Sequence, residues 1–381
     1  MRDITSGDGS RLARDRRAYN RPPAMSRLTY GKYLKLKELL ACQALESAKA
    51  GRPAHDELLF IVTHQTYELW FKQVLHELEA ARAVMGAEFV NERDVGRALH
   101  YLERVIRIQD VLVDQIDVLE TMTPLDFLDF RNLLTPSSGF QSVQFRRIEN
   151  VLGLRRTQRL RYNEADYEAS LDAAERRAVS ASEREASLYD VVEAWLARMP
   201  FVQFREFDFW REYRANVTRM LDEDRATIEA QLPDAARGAQ LEELEHTRET
   251  FESVFEPDKY ERLRAAGERR LSYPAFLAAL MIMLYRDEPI LQNPYRLLTA
   301  LVEIDENLAL WRYRHALMVH RMIGSKIGTG GSSGQDYLRR TIEAHRVFVD
   351  FFNLSTYLIP RSLLPALPAA LREQLGFRWN A

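Results

Sequence analysis

Apolar side chains recur every three or four residues along most of the chain. The segment 57–84 carries one stripe formed by Phe60, His64, Tyr67, Phe71 and Leu75. The segment 94–122 carries a second stripe formed by Leu99, Leu102, Ile106, Val113 and Ile116. Because this spacing places each set on one face of an α-helix, both segments are predicted to be amphipathic helices.

The later segments keep a helical pattern but differ in polarity. Residues 160–255 are rich in Ala, Glu and Arg, which predicts helices with solvated, charged faces. From 271 to 323 the chain is apolar again, with a stripe formed by Leu301, Ile304, Leu308, Trp311, His315, Val319 and Met322. A last helical segment ends near Tyr357, and no alternating run typical of a strand appears. The predicted fold class is all-α, a helical bundle with an inserted or peripheral helical segment at about 160–265.

The two ends of the chain differ from its body. Residues 1–26 are polar, rich in arginine and interrupted by Pro22 and Pro23, which predicts a disordered or arm-like extension. We expect a single domain over 27–361 and a C-terminal tail over 362–381. The longest apolar run, 275–285, is too short to cross a bilayer and predicts a buried helix, so no membrane partner is expected.

Composition and charge narrow the functional classes. The net charge of −3 provides no basic field that would attract nucleic acid, so no nucleic-acid partner is expected. Cys42 is the only cysteine, which rules out an internal disulfide and a classical structural zinc site. A reducing compartment, the cytoplasm, is therefore predicted.

Histidine spacing argues against a metal held by protein side chains alone. His315 and His320 are five residues apart, which turns them about 140° around a helix and keeps them from sharing one metal. One Glu-x-x-His motif, Glu243 to His246, is too few for a di-iron bundle. A histidine on an apolar stripe, such as His315, suits an axial ligand of haem, whose macrocycle supplies the other ligands. A hydrogen-bonded core histidine is the alternative.

An arginine lies beside a Pro-Ser-Gly loop in the stretch TPLDFLDFRNLLTPSSGFQS. This arginine is Arg131. A guanidinium near an apolar pocket is suited to bidentate binding of a carboxylate. A structural ion pair with Asp126 or Asp129 is the alternative interpretation.

The stretch SKIGTGGSSG (325–334) holds four of the sixteen glycines. It lacks the Gly-Lys-Ser/Thr ending of a Walker phosphate loop and follows a predicted helix rather than a strand. A flexible linker fits its composition. The apolar and aromatic segment 337–359 behind it favours a loop within the domain, where glycines permit close backbone approach to a ligand.

Several long blocks resemble the tryptophan 2,3-dioxygenase family. The resemblance runs from LTYGKYLKL (28–36) to FFNLSTYLIPR (351–361) and includes HDELLFIVTHQTYELWFKQ (55–73), LETMTPLDFLDFRNLLTPSSGFQSVQFR (119–146), GERRLSYPAF (267–276) and WRYRHALMVHRMIGSKIGTGGSSG (311–334). It implies a haem b enzyme, ferrous in its active state, that uses O2 to convert L-tryptophan or a close indole amino acid to N-formyl-L-kynurenine. It also implies a place in tryptophan catabolism, the kynurenine pathway.

The resemblance assigns roles to individual residues. His315 matches the residue that binds the haem iron, and His64 matches the one that hydrogen-bonds the indole N–H. Arg131 matches the residue that binds the substrate carboxylate, and Thr329 matches a threonine at the substrate's amino-acid end. Other matched positions are pocket walls (Phe60, Phe127), residues around the haem (Trp311, Ser138, Gly139) and residues that an N-terminal segment inserts into a neighbouring subunit's site (Tyr30, Tyr33, Leu34).

The resemblance also implies a homotetramer that exchanges its N-terminal segments. Two rival functions remain open. The first is a family-related haem monooxygenase that adds one oxygen to tryptophan or a methylated tryptophan and forms an oxindole. The second is a haem-binding sensor or helical scaffold without turnover, which would need neither Arg131 nor Thr329.

Overall fold

A computed structural model of the chain describes residues 28–160, 171–324, 326 and 334–377. The chain divides into two compact units, Met1–Pro53 and Ala54–Ala381. The first unit contains three single-turn helices: α1 (Tyr30–Tyr33), α2 (Leu36–Leu39) and α3 (Glu46–Lys49). Lys35, between α1 and α2, has a φ of 54°. Because an α-helix requires negative φ, this residue separates α1 from α2.

Helices also form the second unit. They are α4 (Glu57–Met85), α5 (Glu92–Leu119), α6 (Pro124–Phe130), α7 (Val143–Leu152), α8 (Ala173–Arg184), α9 (Leu188–Ala197), α10 (Phe209–Gln231), α11 (Asp234–Phe255), α12 (Pro257–Ala265), α13 (Tyr273–Leu284), α14 (Gln292–Ile323), α15 (Gly334–Ala344), α16 (Val349–Asn353) and α17 (Ala369–Leu375). Short 3-10 helices occupy Arg131–Leu133, Gly139–Gln141, Arg156–Gln158, Pro289–Leu291, Leu354–Tyr357 and Arg361–Leu363. The predicted all-α class is confirmed.

A small antiparallel ribbon is an element that the sequence analysis did not predict. Its strands are β1 (Gln203–Phe204) and β2 (Phe207–Asp208), with Gln203 opposite Asp208. Two residues are too few to show the alternation that identifies a strand in a sequence. The ribbon leads directly into α10, whose first backbone N–H groups donate to the carboxylate of Asp208.

The core of the second unit is centred on α5, which packs against both α4 and α14. The capping box of Asn91 and Asp94 fixes where α5 begins. Leu102, in the middle of α5, is fully buried, as its stripe predicts. The stripe deviates at Val113, which is only half-buried, whereas its neighbour Leu112 is buried. Apolar positions spaced by three or four residues do not show which of two adjacent apolar side chains faces the core.

The polar segment around 171–255 folds as helices that still bury one side. In α10 the buried residues are Phe209, Tyr213, Val217 and Leu221, which recur every four residues. Exposed ion pairs join α10 to α11, for example Arg225 with Glu245 at 2.8 Å. Such pairs contribute little to stability because water solvates both partners. The charged faces are therefore mainly solvated, while the aromatic faces hold the segment in place.

The longest apolar run forms α13, a helix buried on almost every side, as predicted. An all-round apolar helix of this length is typical of the interior of a large domain. None of the helices in the described ranges is both long and apolar enough to cross a membrane.

Gly153 ends α7 with a φ of 117°, where an added Cβ would lie 2.7 Å from Ser187 Oγ and 2.8 Å from Tyr189 Cβ. Gly153→Ala should therefore lower the free energy of unfolding by more than about 1 kcal/mol, through backbone strain and the clash together. Gly238→Ala is the matched control, since Gly238 lies within α11 with no atom within 4 Å of the added Cβ. Alanine there should stabilise by up to about 1 kcal/mol.

Urea denaturation of both variants provides the measurement. Equal stability of the Gly153→Ala variant and the unchanged protein would contradict the described close packing at the end of α7.

Candidate active site

A single cavity of about 310 Å³ in the second unit gathers most of the residues singled out in the sequence. Its walls come from α4, α5, α6, α7, α14 and α15 and from the loops that follow α6. The predicted site residues that line it are Phe60, His64, Phe127, Arg131, Ser138, Gly139, Trp311 and His315. They come from segments up to 255 residues apart in the chain, so the helical packing brings them together.

The cavity explains why parts of the two apolar stripes are not fully buried. On α4, Tyr67 is buried while His64, one turn earlier, is accessible from the cavity. On α14, Ile304 is fully buried in the core, whereas Trp311 and His315 are half-buried and line the cavity. The α4 stripe faces this ligand-sized space from Phe60 to Phe71 and packs the core at Leu75. The α14 stripe packs the core up to Leu308 and faces the space from Trp311 onwards.

Aromatic rings cover the wall around His64. The ring centroid of Phe60 lies 4.1 Å from that of His64 and 5.7 Å from that of Phe127. Phe130 meets Phe60 edge-on at 5.6 Å. Such a wall favours a flat, aromatic ligand, because offset and edge-on ring contacts add stabilisation beyond apolar burial.

His64 is held as a neutral imidazole with a defined tautomer. Its Nδ1 lies 2.7 Å from the carbonyl oxygen of Phe60. Since a carbonyl only accepts, Nδ1 carries the hydrogen and Nε2 keeps its lone pair. Burial lowers the pKa of His64, partly opposed by the Phe60 carbonyl and by Glu68. Nε2 is therefore an acceptor for a ligand N–H group.

His315 lies on α14 one turn after Trp311, with ring centroids 5.2 Å apart. Burial, with a smaller contribution from His64, lowers the pKa of His315 to about 4. Its Nδ1 is buried and has no hydrogen-bond partner among the described residues. Because Nδ1 is buried, a metal centre in the cavity would be bound by the other nitrogen of this neutral imidazole, Nε2.

The donor set fits haem iron better than a bare metal ion. Within the described ranges, no group of three or more His, Cys, Asp or Glu side chains is arranged to hold a metal. His315 would thus be a lone protein ligand in an apolar cavity, the arrangement typical of a haem whose macrocycle fills the remaining positions. The space beside Gly139 is open, since an added Cβ would meet no described atom within 4 Å.

Arg131 lies in the cavity wall at the end of α6. Its guanidinium carbon is 6.0 Å from the centroid of Phe127, and the residue is 9% exposed. Asp126, one of the two acids considered as its partner, forms the capping box of α6 with Thr123. A buried guanidinium beside an aromatic wall can bind the carboxylate of an aromatic acid.

The remaining predicted residues are not part of the described lining of the cavity. Thr329 falls outside the described residues. Tyr30, Tyr33 and Leu34 belong to the first unit, in and just after α1, and are 75%, 70% and 39% exposed. Their predicted roles stay predictions.

The structure adds a buried ionic cluster that the sequence analysis missed. Glu149 of α7 binds Arg146, Arg159, Arg312 and His345. The only signal in the sequence is the three-residue spacing of Arg146 and Glu149, which lets a helix pair them. Arg312 and His345 are 163 and 196 residues away from Glu149, so no local pattern connects them.

Fold and site together define a class: a helical protein whose cavity suits an aromatic acid and a cofactor bound through one histidine. Comparison with known proteins identifies the family. The family model described as tryptophan 2,3-dioxygenase matches residues 16–358, so the match begins within the predicted extension 1–26. The chain belongs to the tryptophan 2,3-dioxygenase family.

Similar proteins span nearly the same length. The tryptophan 2,3-dioxygenase of Dictyostelium discoideum is 48% identical over 354 residues, which cover 92% of this chain and 88% of that protein. The tryptophan 2,3-dioxygenase of Bdellovibrio bacteriovorus is 48% identical over 352 residues, covering 92% and 98%. That of Alteromonas mediterranea is 46% identical over 350 residues, covering 91% and 97%.

The tautomer of His64 is directly measurable. In cofactor-free protein labelled with 15N-histidine, we expect the His64 signals of a neutral ring with Nδ1 protonated, and a titration midpoint below 6.5, since burial lowers the pKa. The His64→Gln variant identifies the signals by their loss. A ring protonated at Nε2 at neutral pH would contradict the acceptor role.

Proposed function

We propose that this protein is a haem-dependent dioxygenase that acts on L-tryptophan. The C2–C3 bond of the indole is cleaved, both atoms of O2 enter the product, and N-formyl-L-kynurenine forms. The observation that carries this proposal is the meeting of His64, Arg131 and His315 at one aromatic-lined cavity. An indole, an amino-acid carboxylate and an iron centre each have a matching group there.

The chain's own groups would hold haem b at one part of the cavity. His315 would bind the iron through its neutral imidazole, while Trp311, Ser138 and Gly139 provide the adjoining wall. When bound in its ferrous state, haem would supply the centre at which O2 is held and activated. Aromatic and apolar residues of the cavity wall would surround this centre.

The same cavity would bind and orient L-tryptophan. Arg131 would bind the carboxylate, and Phe60 and Phe127 would flank the indole ring. The lone pair of His64 Nε2 would accept the indole N–H, which fixes the direction in which the C2–C3 bond points. His64 needs no strong basicity for this task, which agrees with its lowered pKa.

Further parts of the proposal concern residues outside the described lining of the cavity. Thr329 would bind the ammonium and carboxylate end of the substrate. Tyr30, Tyr33 and Leu34 would complete the site of a neighbouring subunit in a homotetramer. The exposed thiol of Cys42, the chain's one cysteine, agrees with a reducing, cytoplasmic location.

Product mass tests the proposed reaction. The protein is loaded with haem, reduced with ascorbate and given L-tryptophan in air. A product heavier than tryptophan by two oxygen atoms is expected, and His315→Ala should abolish both product and the spectrum of histidine-bound haem. A gain of one oxygen would favour the monooxygenase, and no tryptophan-dependent change in the haem spectrum would favour the sensor.

Arg131→Ala should raise the KM for L-tryptophan at least about tenfold, because a charge-assisted bidentate contact is lost. Arg97→Ala is the control. Arg97 is exposed on α5 in an ion pair with Asp94 and should leave KM unchanged. Normal tryptophan affinity in the Arg131→Ala variant would show that the carboxylate binds elsewhere.

Self-association would cover apolar stripes on the outer faces of α5 and α14. Val111 and Val118 on α5 are 43% and 50% exposed, and Leu310, Tyr313 and Leu317 on α14 are 46%, 50% and 47% exposed. Residues spaced by three, four or seven share a helix face. Such stripes favour a protein partner over solvent.

Leu317→Arg should therefore reduce the subunit number measured by light scattering, because it places a charge in the covered stripe. Leu125→Arg, at a 74% exposed site on α6, is the control. A tetramer that persists in the Leu317→Arg variant would mean that this face is not the interface.

A further inference from the structure

The carboxylate of Glu149 is the meeting point of three walls of the cavity. Glu149 lies on α7 and its side chain is 2% exposed. Its Oε1 accepts from Arg312 Nη2 of α14 at 2.8 Å and from His345 Nδ1 at 3.2 Å. His345 directly follows α15, which ends at Ala344. One side chain therefore joins α7, α14 and the end of α15.

The other oxygen of Glu149 binds groups nearer in the chain. Oε2 accepts from Arg146 Nη1 at 3.0 Å, one turn earlier on α7. It also accepts from Arg159, whose second Nη donates to Asn150 at 2.6 Å. Burial alone would raise the pKa of Glu149, but Arg159, Arg146, His345 and Arg312 hold it well below its usual range. The carboxylate thus stays ionised at neutral pH.

Hydrogen bonds at both ring nitrogens hold the His345 imidazole, which forms the link to α15. The backbone N–H of Leu160 donates to His345 Nε2 at 3.3 Å. Nε2 is therefore an acceptor, and the neutral ring carries its hydrogen on Nδ1, where it donates to Glu149. Burial lowers the pKa of His345 and keeps the ring neutral. Leu338 and Thr341 of α15 line the cavity, so this link ties that wall to α7.

The link to α14 leads towards the candidate iron ligand. The guanidinium carbon of Arg312 lies 5.8 Å from the ring centroid of Phe145. The ring centroids of Phe145 and Trp311 are 5.3 Å apart. Trp311 packs on His315 at 5.2 Å. Arg312 is itself three residues before His315 on the same helix. The carboxylate of Glu149 is thus connected by packed side chains to the part of the cavity wall that His315 forms.

We propose that Glu149 is a positioning residue, which sets the spacing of the α7, α14 and α15 walls and thereby the fit of the substrate. It contacts neither substrate nor iron in this role. The inference rests on the proposed function for its kinetic consequence. Its structural consequence, the anchoring of α15, does not depend on the bound cofactor or on the reaction.

Hydrogen–deuterium exchange on the cofactor-free protein tests the anchoring. Glu149→Gln keeps the shape of the side chain but removes its charge, and should raise amide exchange in peptides from α15 at least about tenfold, as expected for losing a charge-assisted contact. Exchange in α5 should stay the same. Glu79→Gln is the matched control, because Glu79 forms a half-exposed pair with Arg147 of α7 at 2.7 Å.

A second variant is used if Glu149→Gln does not fold because its arginines stay buried without a carboxylate partner. His345→Leu breaks the link to α15 and removes the acceptor of the Leu160 N–H, but it leaves the ion pair of Glu149 with Arg312. His345→Gln should restore that link, since an amide can donate to Glu149 and accept from Leu160. Faster α15 exchange in the leucine variant and its reversal in the glutamine variant are expected.

Kinetics then separate positioning from general damage. In haem-loaded His345→Leu, the KM for L-tryptophan should rise about tenfold, with a smaller change in kcat and an unchanged spectrum of His315-bound haem. Unchanged α15 exchange and unchanged KM would overturn the inference, as would equal acceleration of exchange in α5. If even the unsubstituted protein made no product, the proposed function would fail, while the exchange result would still decide the anchoring.

Discussion

The packing of α5 between α4 and α14 is the constraint on which the site depends. The side chains between these helices exclude water from the centre of the second unit. Leu102 of α5 and Ile304 of α14, for example, have no exposed surface. This packing fixes the two long helices that carry His64 and His315. Because the two stripes continue past the core to the cavity, the same helices that stabilise the unit also place its polar groups.

Removal from water also determines the chemistry that the cavity can support. Burial lowers the pKa of both His64 and His315, so the two rings are neutral at neutral pH. A neutral imidazole can accept a hydrogen bond or bind iron, whereas a protonated one can do neither. The guanidinium group of an arginine is suited to an anionic group, and Arg131 places one in the same cavity wall. The cavity therefore separates the places for an indole N–H, an iron centre and a carboxylate.

Helical periodicity was sufficient to predict the fold class and the stripes of α4, α5 and α14. The resemblance to a family, rather than periodicity, singled out Ser138 and Gly139 and favoured carboxylate binding over an ion pair for Arg131. These residues follow α6 in short segments without a long pattern. The ionic cluster could not be predicted, because Glu149 meets Arg312 and His345 only through tertiary packing. The ribbon of β1 and β2 was missed because two residues carry no alternation. The roles of Thr329, Tyr30, Tyr33 and Leu34 stay predictions.

The central claim is that one cavity holds both the iron centre and the indole amino acid. A crystal structure of the haem-loaded protein with L-tryptophan tests it most directly. The account predicts that His315 binds the iron, that His64 Nε2 lies within hydrogen-bond distance of the indole nitrogen, and that Arg131 contacts the carboxylate. An iron bound by another residue, or tryptophan located outside this cavity, would contradict the account.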